Sequence, residues 1–286
     1  MDNWDELRTA YEVARHGTVS GAATKLGVHH ATVIRHVDAL EDRLGVRLFQ
    51  RHARGYTPTE AGLDLARVAQ ATDDQFSQLA ARLSGQGDLV SGELVITTLA
   101  SFSGLLMPAL ASFSEAYPEV RLVYRAGTRL FRLEYGEAHV AIRAGQPPRE
   151  PDNVVQKLLD LKFALVAAPD YVARRGTPTA QNYMEHDFVA SDNATPRAPT
   201  LKWIADTIPA ARHVFRVNDD VSYGNAVRRG MGIGFLPEEE AHSGAFTVVM
   251  PTREDWNVSL WLVTHVDLHR SAKVQALTKH LKTHLS

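Results

Sequence analysis

His30, Ala31, Thr32, Ile34 and Arg35 crowd the start of one segment, with Ala31 and Arg35 opposite its apolar stripe, and Arg51 and Arg54 flank a glycine turn shortly after it. These are side chains suited to reading or gripping a polyanion. A guanidinium can bond a guanine edge through two N–H groups, an isoleucine can meet a thymine methyl, and arginines at a turn can pair with phosphates or reach a minor groove. For Arg51 and Arg54, phosphate contact is the expectation.

The elements that must hold these residues are legible from Ser20 to Thr59. Ser20 can cap a short helix whose Ala22, Ala23 and Leu26 are small or apolar enough for close packing, and Gly27 permits the turn into a second helix. On a helical period Val33, Val37, Leu40 and Leu44 form the core stripe, with Ala31 and Arg35 pointing away and Ile34 at the border. Two helices in this arrangement read as a helix-turn-helix, whose second helix enters a DNA major groove. Gly45 to Thr59 alternates about a glycine turn, as a hairpin or wing does, and Arg43 to Thr59 holds four arginines and no Asp or Glu. Double-stranded DNA is the expected partner.

Thr59 is a fitting cap for a longer helix that runs to about Leu83, before Ser84 to Asp88 breaks the pattern. Leu65, Ala69, Thr72, Phe76, Leu79 and Leu83 form a heptad stripe, which either docks on its own domain or pairs with a second copy. Beyond Gly92 strands and helices alternate as in a doubly wound sheet. The expected elements are strands at 93–98, 120–125 and 138–143, helices at 102–117 and from about Thr128 to Tyr135, a crossing segment at 155–166, a return strand at 259–264 and a last helix at 271–285. Ligands of such sheets bind beyond the carboxyl ends of strands, where helix N-termini offer N–H groups to an anion. Those positions hold Ala100, Ser101 and Phe102, then Thr128, then Arg143, and finally Asn218 and Asp219 ahead of a helix at 221–229. A small carboxylate is the expected effector; the alternatives are ordinary helix caps at Ser101 and Thr128 and a hinge salt bridge at Arg143.

With the helix-turn-helix, then Leu40-Glu41-x-x-Leu44-Gly45-x-x-Leu48-Phe49-x-Arg51, then Thr59-x-Ala61-Gly62, the chain resembles the LysR-type transcriptional regulators. The resemblance rests on motifs up to Gly62 and on layout thereafter. It implies an all-α winged helix-turn-helix at 1–58, a linker helix and hinge for dimerisation at 59–88, and a two-lobed α/β effector domain similar to periplasmic binding proteins at 89–286. The first lobe would take about 89–162 and 266–286, the second about 163–265. The resemblance further implies a ligand-responsive regulator, dimeric or tetrameric, that binds an interrupted palindrome near a promoter. Three departures stand out. Family members commonly carry Ser or Asp at the position of His29, Ser at that of Ile34, and Asp at that of His139, so the operator and the environment of Arg143 would differ from the usual.

Composition narrows the classes. The 286 residues, 44% of them hydrophobic, can build two or three cores, and no cysteine is present for disulfides or thiolate chemistry. Met1 to Glu6 lacks the start of a signal peptide and no run reaches transmembrane length, so a soluble cytoplasmic protein without membrane contact is expected. The net charge of −2 argues against nucleic acid, and residues 1–58 carry eight basic and seven acidic groups, an excess of only one. Binding by two joined heads would make good that weakness. Neither an enzyme nor a cofactor is expected: Gly230-Met231-Gly232-Ile233-Gly234 has its helix before and its strand after, the reverse of a dinucleotide loop, and no Gly-x-Ser-x-Gly elbow occurs. No metal is expected either, because the pairs His265/His269 and His280/His284 lack a third ligand nearby and read as solvated. Two rivals remain: a solute-binding protein without a transcriptional role, and a DNA-binding protein whose sensor half is insensitive to ligand.

Overall fold

The computed structural model describes residues 3–52, 55–83, 90–133 and 137–285. Its N-terminal part is built on α1 (Trp4–His16), α2 (Val19–Leu26) and α3 (His30–Leu44), each closed by a glycine in the left-handed region at 17, 27 and 45. Thr18, rather than Ser20, caps α2. Its extended backbone precedes the helix and its Oγ1 accepts the Gly21 N–H at 3.1 Å, whereas Ser20 already lies within the first turn. Val33, Val37 and Leu40 are fully buried against Ala10, Val13, Ala22, Leu48 and Phe49. Leu44 leaves this stripe and is 38% exposed, because the chain turns back at Gly45 and the inner position of the last turn is taken by Glu41.

Strands β1 (Phe49–His52) and β2 (Gly55–Pro58) form the expected antiparallel hairpin, and the Tyr56 N–H donates to the Gly17 carbonyl at 2.8 Å, tying the wing to the end of α1. Thr59 then starts α4 (Glu60–Leu83): its Oγ1 accepts from Gly62 N and donates to the Arg47 carbonyl. Leu65 packs against the core of the head and Ala69 is buried, while Phe76 (53%) and Leu79 (41%) are exposed, Phe76 meeting only the edge of Trp4 at 5.4 Å among the described aromatic rings. The side chain of Leu83 lies outside the described residues.

The sensor half contains β3 (Gly92–Thr98), α5 (Ser103–Ala116), β4 (Val120–Ala126), β5 (Val140–Ala144), β6 (Asn153–Leu161) and β7 (Phe163–Ala167). It continues with α6 (Pro169–Arg175), β8 (Phe188–Ser191), α7 (Pro199–Thr207), β9 (His213–Val217), α8 (Asp220–Arg228), β10 (Gly234–Pro237), α9 (Glu238–Ala241) and β11 (Thr247–Met250). It closes with β12 (Val258–His265), α10 (Val266–His269) and α11 (Ala272–Leu285). The first sheet has the order β4-β3-β5-β12-β6, with β3 parallel to β4 and β5 and with β12 antiparallel to both its neighbours. Helices α5 and α11 cover one face through Phe113, Leu277 and Leu281. The second lobe is the antiparallel sheet β10-β7-β11, extended by parallel β8 and β9 through the Phe188–Ile233 bridge.

The crossing segment is thus two strands in two sheets, joined at Lys162, and by sheet membership β12 stands with the first lobe. The helix expected from Thr128 to Tyr135 does not form over residues 128–132, and residues 134–136 lie outside the description. Phe131 and Leu133 instead turn onto the sheet beside Val95, Ala141 and Val263, and Glu137 closes the loop by accepting the Arg132 N–H at 2.9 Å. Glycine ends α8 as expected: Gly230 is left-handed, and Gly232 and Gly234 let β10 lie against the Phe188 backbone and Val227. Among the described residues no helix is long and apolar enough to cross a membrane.

Candidate nucleic-acid interface and interlobe site

Helix α3 begins without a carboxylate or hydroxyl cap. His29 takes that place: its Nδ1 accepts the Ala31 N–H at 3.3 Å, so imidazole caps the helix where family members commonly carry Ser or Asp. His30, Ala31, Ile34 and Arg35 are exposed at this end of the helix, and Thr32 is half-buried. Arg35 has no hydrogen bond or ion pair among the described residues, and the His29 and His30 rings stand 5.9 Å apart at the start of the helix.

Three further arginines, around α3 and the wing, are engaged. Arg43 pairs with Glu6, Arg47 with Glu41 at 2.6 Å, and Arg51 with both Asp38 and Glu41. Glu41 is 2% exposed and also accepts the N–H groups of Leu48 and Phe49 at 2.8 and 3.1 Å. Burial pushes its carboxyl up, but the hydrogen bonds from Arg47, Leu48 and Phe49 and the charge of Arg51 outweigh that and hold its pKa below the usual carboxylate value. Arg51 therefore sits in the wing with its guanidinium facing α3 and its planar group 5.3 Å from the Tyr56 ring. Arg54 lies outside the described residues. This knot of charges escaped the sequence reading, although an acid at 41, one helical turn beyond Val37 on the buried face, was its available signal.

In the sensor, the three parallel strands end at one edge. Ala100, Ser101 and Phe102 form a single tight turn after β3; Phe102 is buried in the core and Ser101 is exposed. Thr128 lies in the irregular segment after β4 and is exposed, so it opens no helix. Arg143, near the end of β5, is half-buried and makes no hydrogen bond or ion pair among the described residues; desolvation lowers its pKa, against the charge of Glu150. From the second lobe α8 comes to meet the Ser101 turn. Asp219 caps α8 by accepting the Ser222 N–H at 2.8 Å, Asn218 is exposed before it, and Ser101 Oγ reaches Asp220 Oδ2 at 3.5 Å. Desolvation raises the Asp220 carboxyl above its ordinary range; the Ser101 hydroxyl works against this and Asp219 adds to it.

His139 resolves the third departure. It is buried and its Nδ1 accepts the Val95 N–H at 3.0 Å, so a neutral acceptor joins β5 to β3 where a charge was expected. The histidine pairs have local partners: His269 Nδ1 meets Thr264 Oγ1 at 2.9 Å, His265 caps α10, and the His280 and His284 rings stack at 3.9 Å. The first pair is half-buried rather than solvated. Among the described residues no group of three or more ligating side chains converges.

A helix-turn-helix head with a wing, a long helix and an α/β domain of two lobes, whose α8 approaches the strand ends of the first, define a two-part architecture. The model for the bacterial regulatory helix-turn-helix protein, lysR family, matches residues 4–63, and that for the LysR substrate binding domain matches residues 87–286. The chain belongs to the LysR family. It is 30% identical over 177 residues to the HTH-type transcriptional regulator CrgA of Neisseria meningitidis serogroup B, a match covering 62% of this chain and 59% of that protein. It is 29% identical over 242 residues to the HTH-type transcriptional activator IlvY of Salmonella typhimurium, covering 82% and 81% of the two chains. Among solved structures, ArgP from Mycobacterium tuberculosis shares the fold with a TM-score of 0.71, at 22% identity over 100% of this chain and 98% of that one.

Proposed function

We propose that this protein is a cytoplasmic transcriptional regulator, not a catalyst, that binds promoter DNA through α3 and the wing and alters that binding when a small molecule enters the interlobe cleft. The observation that carries the reading is the contrast among arginines: those at 43, 47 and 51 are held by carboxylates, and Arg35 stands unpaired on the exposed start of α3 near Ala31 and Ile34. A free guanidinium there is placed to read a base edge, with the two apolar neighbours against thymine methyls. Arg51 would act by fixing the wing, and Arg54 by phosphate contact. Arg35→Ala is expected to weaken operator binding by roughly tenfold or more and to relax one base position, as loss of a two-bond contact does. Titration of a selected operator and its single-base variants checks this; an unchanged affinity would remove α3 from the groove.

For the effector, the half-buried Arg143 favours an anionic group such as a carboxylate, and Asp220 beside Ser101 favours a hydrogen-bond donor on the same molecule. Thermal-shift screening of carboxylates, amino acids and aromatic acids is expected to yield a stabilising ligand. Arg143→Ala should abolish that stabilisation and the ligand's effect on promoter occupancy while leaving ligand-free DNA binding near normal. A variant that still responds at the same concentration would take Arg143 out of the site. Exposed Phe76 and Leu79 on α4 fit a seam between two copies, so that a ligand-driven change in lobe or subunit orientation alters the spacing of two heads.

A further inference from the structure

Two strands over from β5, helix α11 lies across the edge strand β6, and the depression between them is lined by Gln156, Gln275, Thr278, Lys279, Lys282 and Thr283. Its composition is one-sided. Two cations and no acid line it, and no Asp or Glu occurs between Asp267 and Ser286. Lys282 Nζ donates to Gln156 Oε1, which holds the ammonium over the depression, and Lys279 is exposed. Thr278, at the floor, is 5% exposed, yet its Oγ1 has no hydrogen-bond partner. A buried hydroxyl left unpaired is costly, and a ligand oxygen would satisfy it. At the rim, Gln275 Nε2 donates to the His269 carbonyl at 2.6 Å and lies 3.1 Å from His269 Nε2. Desolvation lowers the pKa of that imidazole, and the charges of Lys282 and Arg270 lower it further, as a positive local field requires.

We propose that this depression is a binding site for a phosphoryl group, with Lys279 and Lys282 supplying charge and Thr278 Oγ1 a buried hydrogen bond. A phosphoryl group presents three acceptor oxygens in three directions, which suits two ammonium groups and a hydroxyl better than a planar carboxylate does. The site is separate from the interlobe cleft and does not depend on the effector reading.

The test titrates the full chain with inorganic phosphate, with glycerol 3-phosphate and with acetate at constant ionic strength, read by calorimetry and by the His269 ring protons. Saturable phosphate or phosphate-ester binding is expected, with a Kd on the order of 1 mM, and a bound anion should raise the His269 pKa. The ester binding more tightly would identify a metabolite as the ligand, and equal binding would identify the free ion. Thr278→Val, which keeps the packing, and Lys279→Gln should each weaken binding about tenfold, while Lys202→Gln on α7 of the second lobe should not. Absence of saturable binding, an affinity in both site variants equal to that of the natural protein, or acetate binding as well as phosphate would overturn the assignment.

Discussion

Glu41→Ala is expected to destabilise the DNA-binding head by roughly 2–4 kcal/mol, because the buried N–H groups of Leu48 and Phe49 lose their acceptor together with the anchors of Arg47 and Arg51. Hydrogen exchange reads this directly. The amides of Leu48 and Phe49 should exchange much faster in the variant, with smaller changes in the sensor sheets. The sign of the pH dependence follows from the depressed carboxyl. Its contribution is fully present above the ordinary carboxylate pKa of about 4.3 and is lost as pH falls below that, through the lower folded value. The natural protein should therefore lose head stability in acid more steeply than Glu41→Ala. Parallel acid limbs would mean that the charge of Glu41 contributes nothing.

Gly62→Ala is the second large effect. A Cβ there would stand 2.0 Å from the Leu48 carbonyl oxygen, and that carbonyl is already fixed by the Thr59 N–H at 2.9 Å. Backbone, not a flexible side chain, would have to give way, so the start of α4 must part from the wing at a cost of about 1–3 kcal/mol or more. Operator affinity should fall along with the melting temperature. Gly104→Ala supplies the contrast: this glycine lies inside α5 with nothing within 4 Å of the added carbon, and the change should stabilise by about 0.4–1 kcal/mol. If both substitutions were equally tolerated, close approach would not explain glycine at 62.

The parts legible in the sequence are those with local, repeating causes. Apolar spacing located α3 and α4, glycines located the ends of α2 and α8, and strand–helix alternation located the first sheet. Where sequence reading failed, the cause was non-local. Leu44 satisfied the helical period but the chain reverses beyond it, and the segment after Thr128 carries helical spacing yet is held in a loop by Glu137 and by Phe131 against the sheet. The pairing of Arg43 with Glu6, and of Arg51 with Asp38 and Glu41, joins residues far apart in the chain and leaves no periodic trace. For the interlobe site, the strand ends were found from topology alone, whereas the approach of Asp220 to Ser101 needed both lobes in place.

The pairing of the head's arginines has a consequence for ionic strength. With Arg15, Arg43, Arg47 and Arg51 already neutralised by Glu12, Glu6, Glu41 and Asp38, the described cations left to displace counterions from a duplex are Arg8, Lys25 and Arg35. Each phosphate met contributes about −0.9 to the slope of log K against log salt. One head alone will thus show a shallow slope, and a steep one will report how many heads lie on the same DNA.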